Sequence, residues 1–395
     1  PTALPTRLGR AERGPTGPAR RAKRGNGVTS GARRRVMLLF GGRSAEHDVS
    51  RVTAVAVARA LDPEKYEIVP VAITTDGRWV LADEARAQLA DAHTALPAAF
   101  AVAGAQVELP SDPGRSELVQ RDSGATFAVD VVIPLLHGPY GEDGTVQGLL
   151  ELADLPYVGA GVLASAVGMD KIMMKRAFAA AGLPHARYLS MRDSGDARAF
   201  ADRVEGELGL PCFVKPSNMG SSVGVSKART RVELDAAIAH ALEYDEWILA
   251  EEAIVGREIE VGVLGDDPPI ASVPGEVVPA ADFYDYADKY EDGKAELLVP
   301  APISEAEIEA VRTLAVDAFE ACRCEAMARI DCFLRADGSF VVNELNTIPG
   351  FTPISMYPRL WEATGVPYGE LLDRLIDQAM ARHTRRTHRA GKQRR

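Results

Sequence analysis

Between Arg329 and Gly350 the sequence sets a guanidinium, two carboxylates and an amide at spacings that can do chemistry: Arg329, Asp331, Glu344 and Asn346. Asp337-Gly338 lies midway and predicts two strands joined by a two-residue type I′ loop, in which both central residues take positive φ. With that loop Asp331 faces Glu344 and Arg329 faces Asn346, and all four share one face because strand side chains alternate. Opposed Cβ atoms lie about 5 Å apart, so two carboxylates placed there repel unless a cation sits with them. Two carboxylates and an amide oxygen, with no His and no Cys, make an all-oxygen set suited to magnesium carrying phosphates. Arg329 beside them can hold a phosphoryl oxygen or an oxyanion. The plainer alternative is a solvated charged face, because the other side (Ile330, Cys332, Leu334, Val341, Asn343, Leu345) can pack on a core in either case.

Other stretches offer complementary chemistry. Pro211-Cys-Phe-Val-Lys215-Pro is a strand that runs into the small-residue loop Ser217-Asn-Met-Gly-Ser221-Ser-Val-Gly224, and Val225-Ser-Lys227 resumes a strand. Backbone amides and hydroxyls of such a loop can cradle phosphates while Lys215 adds charge; the alternative is a flexible hairpin tip. No Gly-x-x-x-x-Gly-Lys-[Ser/Thr] occurs, which excludes a P-loop kinase. His137-Gly-Pro-Tyr-Gly-Glu-Asp-Gly-Thr145 is a glycine-dense loop after the apolar run Val131 to Leu136, at the carboxyl end of a strand, where open α/β sheets bind ligands. Glu46 and Ser50 stand at a helix mouth, where a carboxylate can serve a substrate or act as a cap favoured by the helix dipole. Lys171 and Lys175 fall one turn apart on a helix that closes at Gly182-Leu183-Pro184.

The elements that position these residues follow from the patterning. Val36 to Phe40 is a buried strand followed by a Gly-rich turn and an Ala/Val-rich helix to about Leu61, a doubly wound opening that lacks Gly-x-Gly-x-x-Gly. Glu67 to Ile73 is the next strand, and residues 83 to 128 carry no functional signal. Trp247 to Ile254, which carries Glu251 and Glu252, is a strand leading to Gly256 to Leu264, which carries Glu258. Phe283-Tyr-Asp-Tyr-Ala-Asp-Lys289-Tyr290-Glu291 is an aromatic and charged loop. Ser304-Glu-Ala-Glu307 is a capping box opening a helix to about Cys322, which delivers the hairpin.

The 395 residues suffice for two or three domains, and 46% hydrophobic with 26% charged residues is ordinary for a soluble globular protein. No apolar run reaches the roughly 18 residues of a membrane-spanning helix. The net charge is −11, but residues 1 to 35 hold nine Arg, one Lys and one Glu, and residues 382 to 395 hold six Arg and one Lys. The chain is thus an acidic globule with basic ends. The first end lacks apolar periodicity and is expected to be disordered, either a leader without a secretory core or the product of a start site set too early. The four cysteines show no CxxC spacing and no paired His, and most sit in apolar patterns where a reduced Cys acts as a small hydrophobe, so the cytoplasm is the expected compartment.

Taken together, Gly-Gly-Arg-Ser-Ala-Glu-His-Asp-Val-Ser, the His137 loop, Met-Asp-Lys171, Val-Lys-Pro-Ser-Asn-Met-Gly-Ser-Ser-Val-Gly-Val, Tyr-Asp-Tyr-x-x-Lys-Tyr and Asn-Glu-Leu-Asn-Thr-x-Pro-Gly closely resemble the D-alanine:D-alanine ligases of the ATP-grasp superfamily. The motifs run in family order from about residue 36 to 381. The resemblance implies an α/β chain with α+β domains: an N-terminal doubly wound parallel-sheet domain at 36–160, then central (161–251) and C-terminal (252–381) ATP-grasp domains. Residues 1–35 and 382–395 would be basic tails. It implies ATP contacts at Lys171, Lys215, Glu251, Ile254, Glu258 and Lys289, and two magnesium ions, replaceable by manganese, on Asp331, Glu344 and Asn346. The first D-alanine would meet Glu46 and His137, and the second Ser355 and Met356. Ser221, Tyr290 and Glu46 would form a closing triad, with Arg329 and the Gly350 amide at the oxyanion. Ala326 stands where the family often has Gly, with local packing consequences expected. The implied protein is a cytoplasmic homodimer without nucleic-acid or membrane partners. The competing readings are a D-alanine:D-lactate ligase and, in another class, a polyanion binder acting through its Arg-rich ends.

Overall fold

The computed structural model describes residues 33–90, 96–112, 114–265, 267–279 and 296–389. Lys289, Tyr290 and the basic segment 1–32 lie outside the described residues.

Strand β1 (Arg34–Gly41) begins two residues before the expected boundary and feeds helix α1 (His47–Ala60). It pairs in parallel with β2 (Tyr66–Ile73), which β3 (Trp79–Leu81) borders antiparallel. After helix α2 (Asp83–Ala90), strands β4 (Val107–Glu108), β5 (Glu117–Gln120) and β6 (Thr126–Ala128) form a small antiparallel sheet over the stretch that carried no functional signal. Strand β7 (Val131–Pro134) then pairs in parallel with β1, so the sheet runs β3-β2-β1-β7. Both its faces are buried: Val36, Leu38 and Phe40 on one side, Met37 and Leu39 on the other. That is why these strands read as continuous apolar runs.

Helices α3 (Thr145–Leu152), α4 (Val162–Met169) and α5 (Lys171–Ala180) lead to the second sheet. Its strands are β8 (Tyr188–Arg192), β9 (Cys212–Pro216), β10 (Ser226–Ala228) and β11 (Trp247–Glu252), in order β10-β9-β11-β8 and all antiparallel. Helices α6 (Ala197–Arg203) and α7 (Arg231–Ala241) supply Phe200, Leu234 and Ile238 to its core.

The third sheet contains β12 (Arg257–Leu264), β13 (Ile270–Ala271), β14 (Gly275–Val278), β15 (Glu296–Leu298), β16 (Met327–Leu334) and β17 (Phe340–Asn346). Its main order is β15-β14-β12-β16-β17. Helix α8 (Glu305–Ala321) covers its apolar face and starts with the expected capping box, Ser304 and Glu307 bonding reciprocally. Helices α9 (Met356–Ala363) and α10 (Tyr368–Thr387) close the described chain.

Two expectations change. Helix α10 runs through position 382, so residues 382 to 387 are helix and not tail. Arg382 is 3% exposed and donates to the carbonyls of Tyr157 and Gly159 at 2.6 Å each. Leu371, Leu372, Leu375 and Ile376 of the same helix pack on the first sheet, against Val36 and Leu38. Ala326 has φ 64° and is buried, so the expected packing consequence comes with backbone strain, at a position glycine would fit better. Among the described residues no helix is long and apolar enough to cross a membrane.

Candidate active site

The hairpin β16/β17 has the expected pairing at its chemical end, Asp331 with Glu344 and Arg329 with Asn346. The turn differs from the expected type I′ loop. Arg335 N–H donates to Ser339 O at 2.9 Å and only Gly338, with φ 82°, is left-handed. The loop therefore has three residues, the form in which a type I turn is followed by a left-handed glycine. Near the turn this shifts the pairing by one, to Cys332 with Val342 and Leu334 with Phe340. A bulge at Asn343 shifts it back before Glu344. Consequently Val342, with Phe340 and Leu345, joins the core. Val341, expected there, falls opposite Phe333 on the chemical face, and Asn343 is the bulged residue.

On that face Arg329 donates Nε–H to Asp331 Oδ1 and an Nη2 hydrogen to Asp331 Oδ2, both at 2.7 Å. Asn346 Nδ2 donates to Asp331 Oδ2 at 2.9 Å, leaving the amide oxygen to face away from that bond. Burial alone would weaken the Arg329 charge, yet Asp331 and Glu260 hold its proton well above the ordinary range. Glu260, which the sequence reading passed over, lies on β12 directly opposite Asp331, with Oε2 3.0 Å from Arg329 Nε. Alternation along β12 was the available signal, since Glu258 and Glu260 share a face. Among the described residues no three His, Cys, Asp or Glu side chains are gathered as a metal cage. The hairpin set is two carboxylates and an amide, so the donor chemistry still fits a hard cation that keeps water or phosphate oxygens as its remaining ligands.

The second sheet contributes the opposite arrangement. Glu251 is 3% exposed and lies between two lysines, Lys175 Nζ at 3.1 Å from Oε1 and Lys215 Nζ at 2.8 Å from Oε2. Burial pushes the Glu251 carboxyl up, and the two lysines outweigh it and hold it at about 2. Burial likewise lowers both lysines. For Lys215, Glu251 reverses the direction, whereas Lys175, 1% exposed and repelled by Lys215, stays low. Glu344 acts electrostatically on both lysines, so the hairpin and the second sheet face a common space. Spacing along the chain marks Lys175 only as a helix neighbour of Lys171. Ile254 and Glu258 are half-buried at the β11–β12 junction, and Glu258 acts electrostatically on Lys215.

The loop after β9 is pinned at its start. Ser217 Oγ donates to Asp170 Oδ1 at 2.8 Å, Asn218 N–H to Asp245 Oδ2 at 2.7 Å, and Lys171 Nζ to Met219 O at 2.6 Å. Ser221 and Ser222 both have positive φ, 50° and 59°, a strained pair of successive left-handed residues. Gly224 must be glycine: a Cβ there would stand 2.6 Å from Pro216 Cγ and 2.7 Å from Tyr244 Cδ2. From this loop Ser221 Oγ donates to Glu46 Oε1 at 2.5 Å, across 175 residues of chain. Glu46 occupies the N-cap position of α1, and its carboxylate makes no cap bond there. Ser50 is structural, accepting from Gly41 N–H at 2.7 Å and donating to Leu135 O at 2.5 Å.

His137 is 5% exposed, with Nδ1 3.2 Å from Ile348 O. With that bond assigned to Nδ1–H, Nε2 presents a lone pair, and among the described residues it has no partner. Burial lowers the His137 pKa, opposed by Glu46 and the Ile348 carbonyl. Glu142, also not singled out from sequence, accepts from Gly138 N–H at 2.6 Å and is pushed up to about 8 by burial and then by Glu46. Arg329 pulls it the other way, so Glu142 links the first sheet to the hairpin electrostatically. Gly350 lies against Ser355, whose Oγ would be 3.1 Å from an added Cβ. Ser355 is half-buried at the start of α9. Met356 points away into a small core with Val277 and Leu360, so only its backbone remains to line the site.

Residues 35–160 match the model described as D-ala D-ala ligase N-terminus, and 177–377 the model described as D-ala D-ala ligase C-terminus. The chain is 50% identical over 354 residues to the D-alanine--D-alanine ligase of Geobacillus thermodenitrificans, covering 88% of this chain and 96% of the relative. It is 50% identical over 367 residues to that of Mycolicibacterium paratuberculosis, covering 90% and 99%. Among solved structures, the D-alanine-D-alanine ligase from Coxiella burnetii superposes with TM-score 0.78 at 35% identity, covering 90% of this chain and 96% of that one. VanG D-Ala:D-Ser ligase from Enterococcus faecalis does so with TM-score 0.78 at 32% identity, covering 88% and 100%. With two family models spanning most of its length and the mixed α/β sheets of its solved relatives, the chain belongs to the D-alanine:D-alanine ligase family.

Proposed function

We propose that this enzyme joins two D-alanines at the expense of ATP, through a D-alanyl phosphate, to make D-alanyl-D-alanine for peptidoglycan precursors. The observation that supports it is the pair of buried charged sets, Glu251 held between Lys175 at 3.1 Å and Lys215 at 2.8 Å, and Asp331 opposite Glu344 with Arg329 2.7 Å from Asp331. Lys215 and Lys171 hold the ATP phosphates, with Glu251, Ile254 and Glu258 nearby for the rest of the nucleotide. Asp331, Glu344 and Asn346 hold magnesium, which when bound neutralises the phosphates and orients them. Lys289 and Tyr290 complete the ATP contacts and the closing triad in this reading.

The first D-alanine binds with its ammonium toward Glu46 and the free lone pair of His137 Nε2. Its carboxylate oxygen attacks the γ-phosphorus, ADP leaves, and the step needs positioning and charge neutralisation more than covalent help. The neutral amine of the second D-alanine, bordered by Ser355 and the Met356 backbone, then attacks the acyl carbon. A C–N bond forms and the carbonyl pair moves onto oxygen. Its return expels phosphate, and the amine proton passes to solvent. Arg329 and the Gly350 amide stabilise the oxyanion. The enzyme acts in the cytoplasm as a homodimer, which sedimentation would check.

Phosphate release with D-alanine, L-alanine, D-serine and D-lactate, singly and paired, tests the reading. The expected result is rapid release only with D-alanine and one phosphate per dipeptide. Release indifferent to D-alanine would overturn it, and mostly depsipeptide with D-lactate near neutral pH would overturn the choice of amine.

A further inference from the structure

Arg329 has a single hydrogen on Nε, and two carboxylates from different strands approach it: Asp331 Oδ1 at 2.7 Å and Glu260 Oε2 at 3.0 Å. Asp331 also takes an Nη2 hydrogen, so both its oxygens serve the guanidinium. A carboxylate used in this way cannot turn the same lone pairs to a cation. A cation drawn to Asp331 would compete with Arg329 and Asn346 for that carboxylate's lone pairs and weaken the bidentate bond, while the guanidinium's charge stays in the site. Glu260 is built for the remaining hold. It is 6% exposed, sits on β12 outside the hairpin that carries the ligand set, and is directly opposed to Asp331 in register. Next to it along the same face, Gly262 opposes Arg329.

We propose that Glu260 is a positioning residue for Arg329: it holds the Nε edge of the guanidinium when Asp331 turns to the cation, leaving the Nη2 hydrogens for the oxyanion. The inference rests on the ligase reading and assigns Glu260 to its second half, in which the C–N bond forms and phosphate leaves. Acyl phosphate formation should not need it. A guanidinium no longer held by Glu260 would follow Asp331 or turn to solvent, and the acyl phosphate would wait and be lost to water.

The test uses the full chain and two half-reactions. Hydroxylamine trapping reads acyl phosphate formation, and phosphate released per dipeptide reads coupling. In Glu260→Gln trapping should stay within about threefold of wild type, with little change in KM for the first D-alanine. Dipeptide formation should fall about a hundredfold, the scale of one lost oxyanion donor, and phosphate per dipeptide should rise well above one. Arg329→Ala should give the same uncoupling, and the double variant should add nothing to it. Independently of turnover, exchange of the Arg329 Nε–H read by nitrogen-15 NMR should remain slow with Mg2+ and ADP in the wild type and become fast in Glu260→Gln.

Phosphate per dipeptide unchanged at one, or additive losses in the double variant, would overturn the proposal while leaving the ligase reading intact. A wild type that joins no D-alanine overturns both. Where Glu260→Gln does not fold, Glu260→Asp is measured in the same way; should neither fold, Glu260 is a structural residue and the proposal fails.

Discussion

The two charged sets of the site are mirror images in sign. In the second sheet one carboxylate, Glu251, lies between two lysines, each taking a different oxygen. In the third sheet one guanidinium, Arg329, lies between two carboxylates, Asp331 and Glu260. Both are buried, and both would be costly if any member were left alone. The first set ends with a surplus of positive charge and spare ammonium hydrogens, which suits phosphates. The second ends with a surplus of negative charge, enlarged by Glu344, which suits a cation. In the proposed ligase reading, the difference is what a site for a polyphosphate and its metal would need: each set neutralises itself only in part, and each surplus would complement one half of the incoming pair.

The contrast breaks most completely at the anionic set. Asp331→Asn and Glu344→Gln are each expected to keep less than about a tenth of wild-type turnover at saturating magnesium, more than about 1.4 kcal/mol of barrier, while their melting curves stay near wild type. Loss of fold together with activity would argue that these carboxylates are structural. At the cationic set the balance of effects should reverse. Glu251→Gln strands two buried lysines and should cost about 3 to 5 kcal/mol of stability, seen as a lower denaturant midpoint. Lys215→Met is milder because Lys175 still pairs with Glu251. It should raise the KM for ATP about tenfold or more, the scale of one charged hydrogen bond, with a smaller change in stability.

The smallest effect sharpens the link between the two regions. Glu142 is pushed up to about 8, so the folded protein binds its proton more tightly than the unfolded chain does. Its stabilising contribution is therefore complete below the ordinary carboxylate range and is lost as pH rises through about 8. Glu142→Gln should flatten the fall of melting temperature between about pH 5 and 8, and an unchanged slope would remove Glu142 from that role.

The hairpin shows how much of this was legible in sequence. Residue type and alternation sufficed to place Arg329, Asp331, Glu344 and Asn346 on one face. The route was wrong in detail: the loop is one residue longer than the Asp-Gly signal implies, and an unforeseen bulge at Asn343 compensates. Two local irregularities that cancel leave no trace in a periodic pattern. Glu260 and Lys175 were missed for another reason. Their importance comes from neighbours on other strands and helices, 69 residues away for Glu260 and 76 for Lys175, and spacing along the chain carries nothing about such pairs. Ser221 with Glu46 was reached through family resemblance and meets as implied; Tyr290, the third member of that triad, lies outside the described residues.

The docking of α10 on the first sheet has a consequence for synthesis. Arg34 pairs with Asp377, Lys65 and Tyr66 with Asp373, and the apolar stripe from Leu371 to Ala379 completes a core begun at Val36. Strand β1 thus waits for helix α10 to be made, with the second and third sheets synthesised in between. Until then one face of the parallel sheet is exposed, a sticky intermediate that a chaperone would recognise. Ribosome-bound chains halted before Leu371 should bind such a chaperone and resist protease poorly, and release of the finished chain should end both at once.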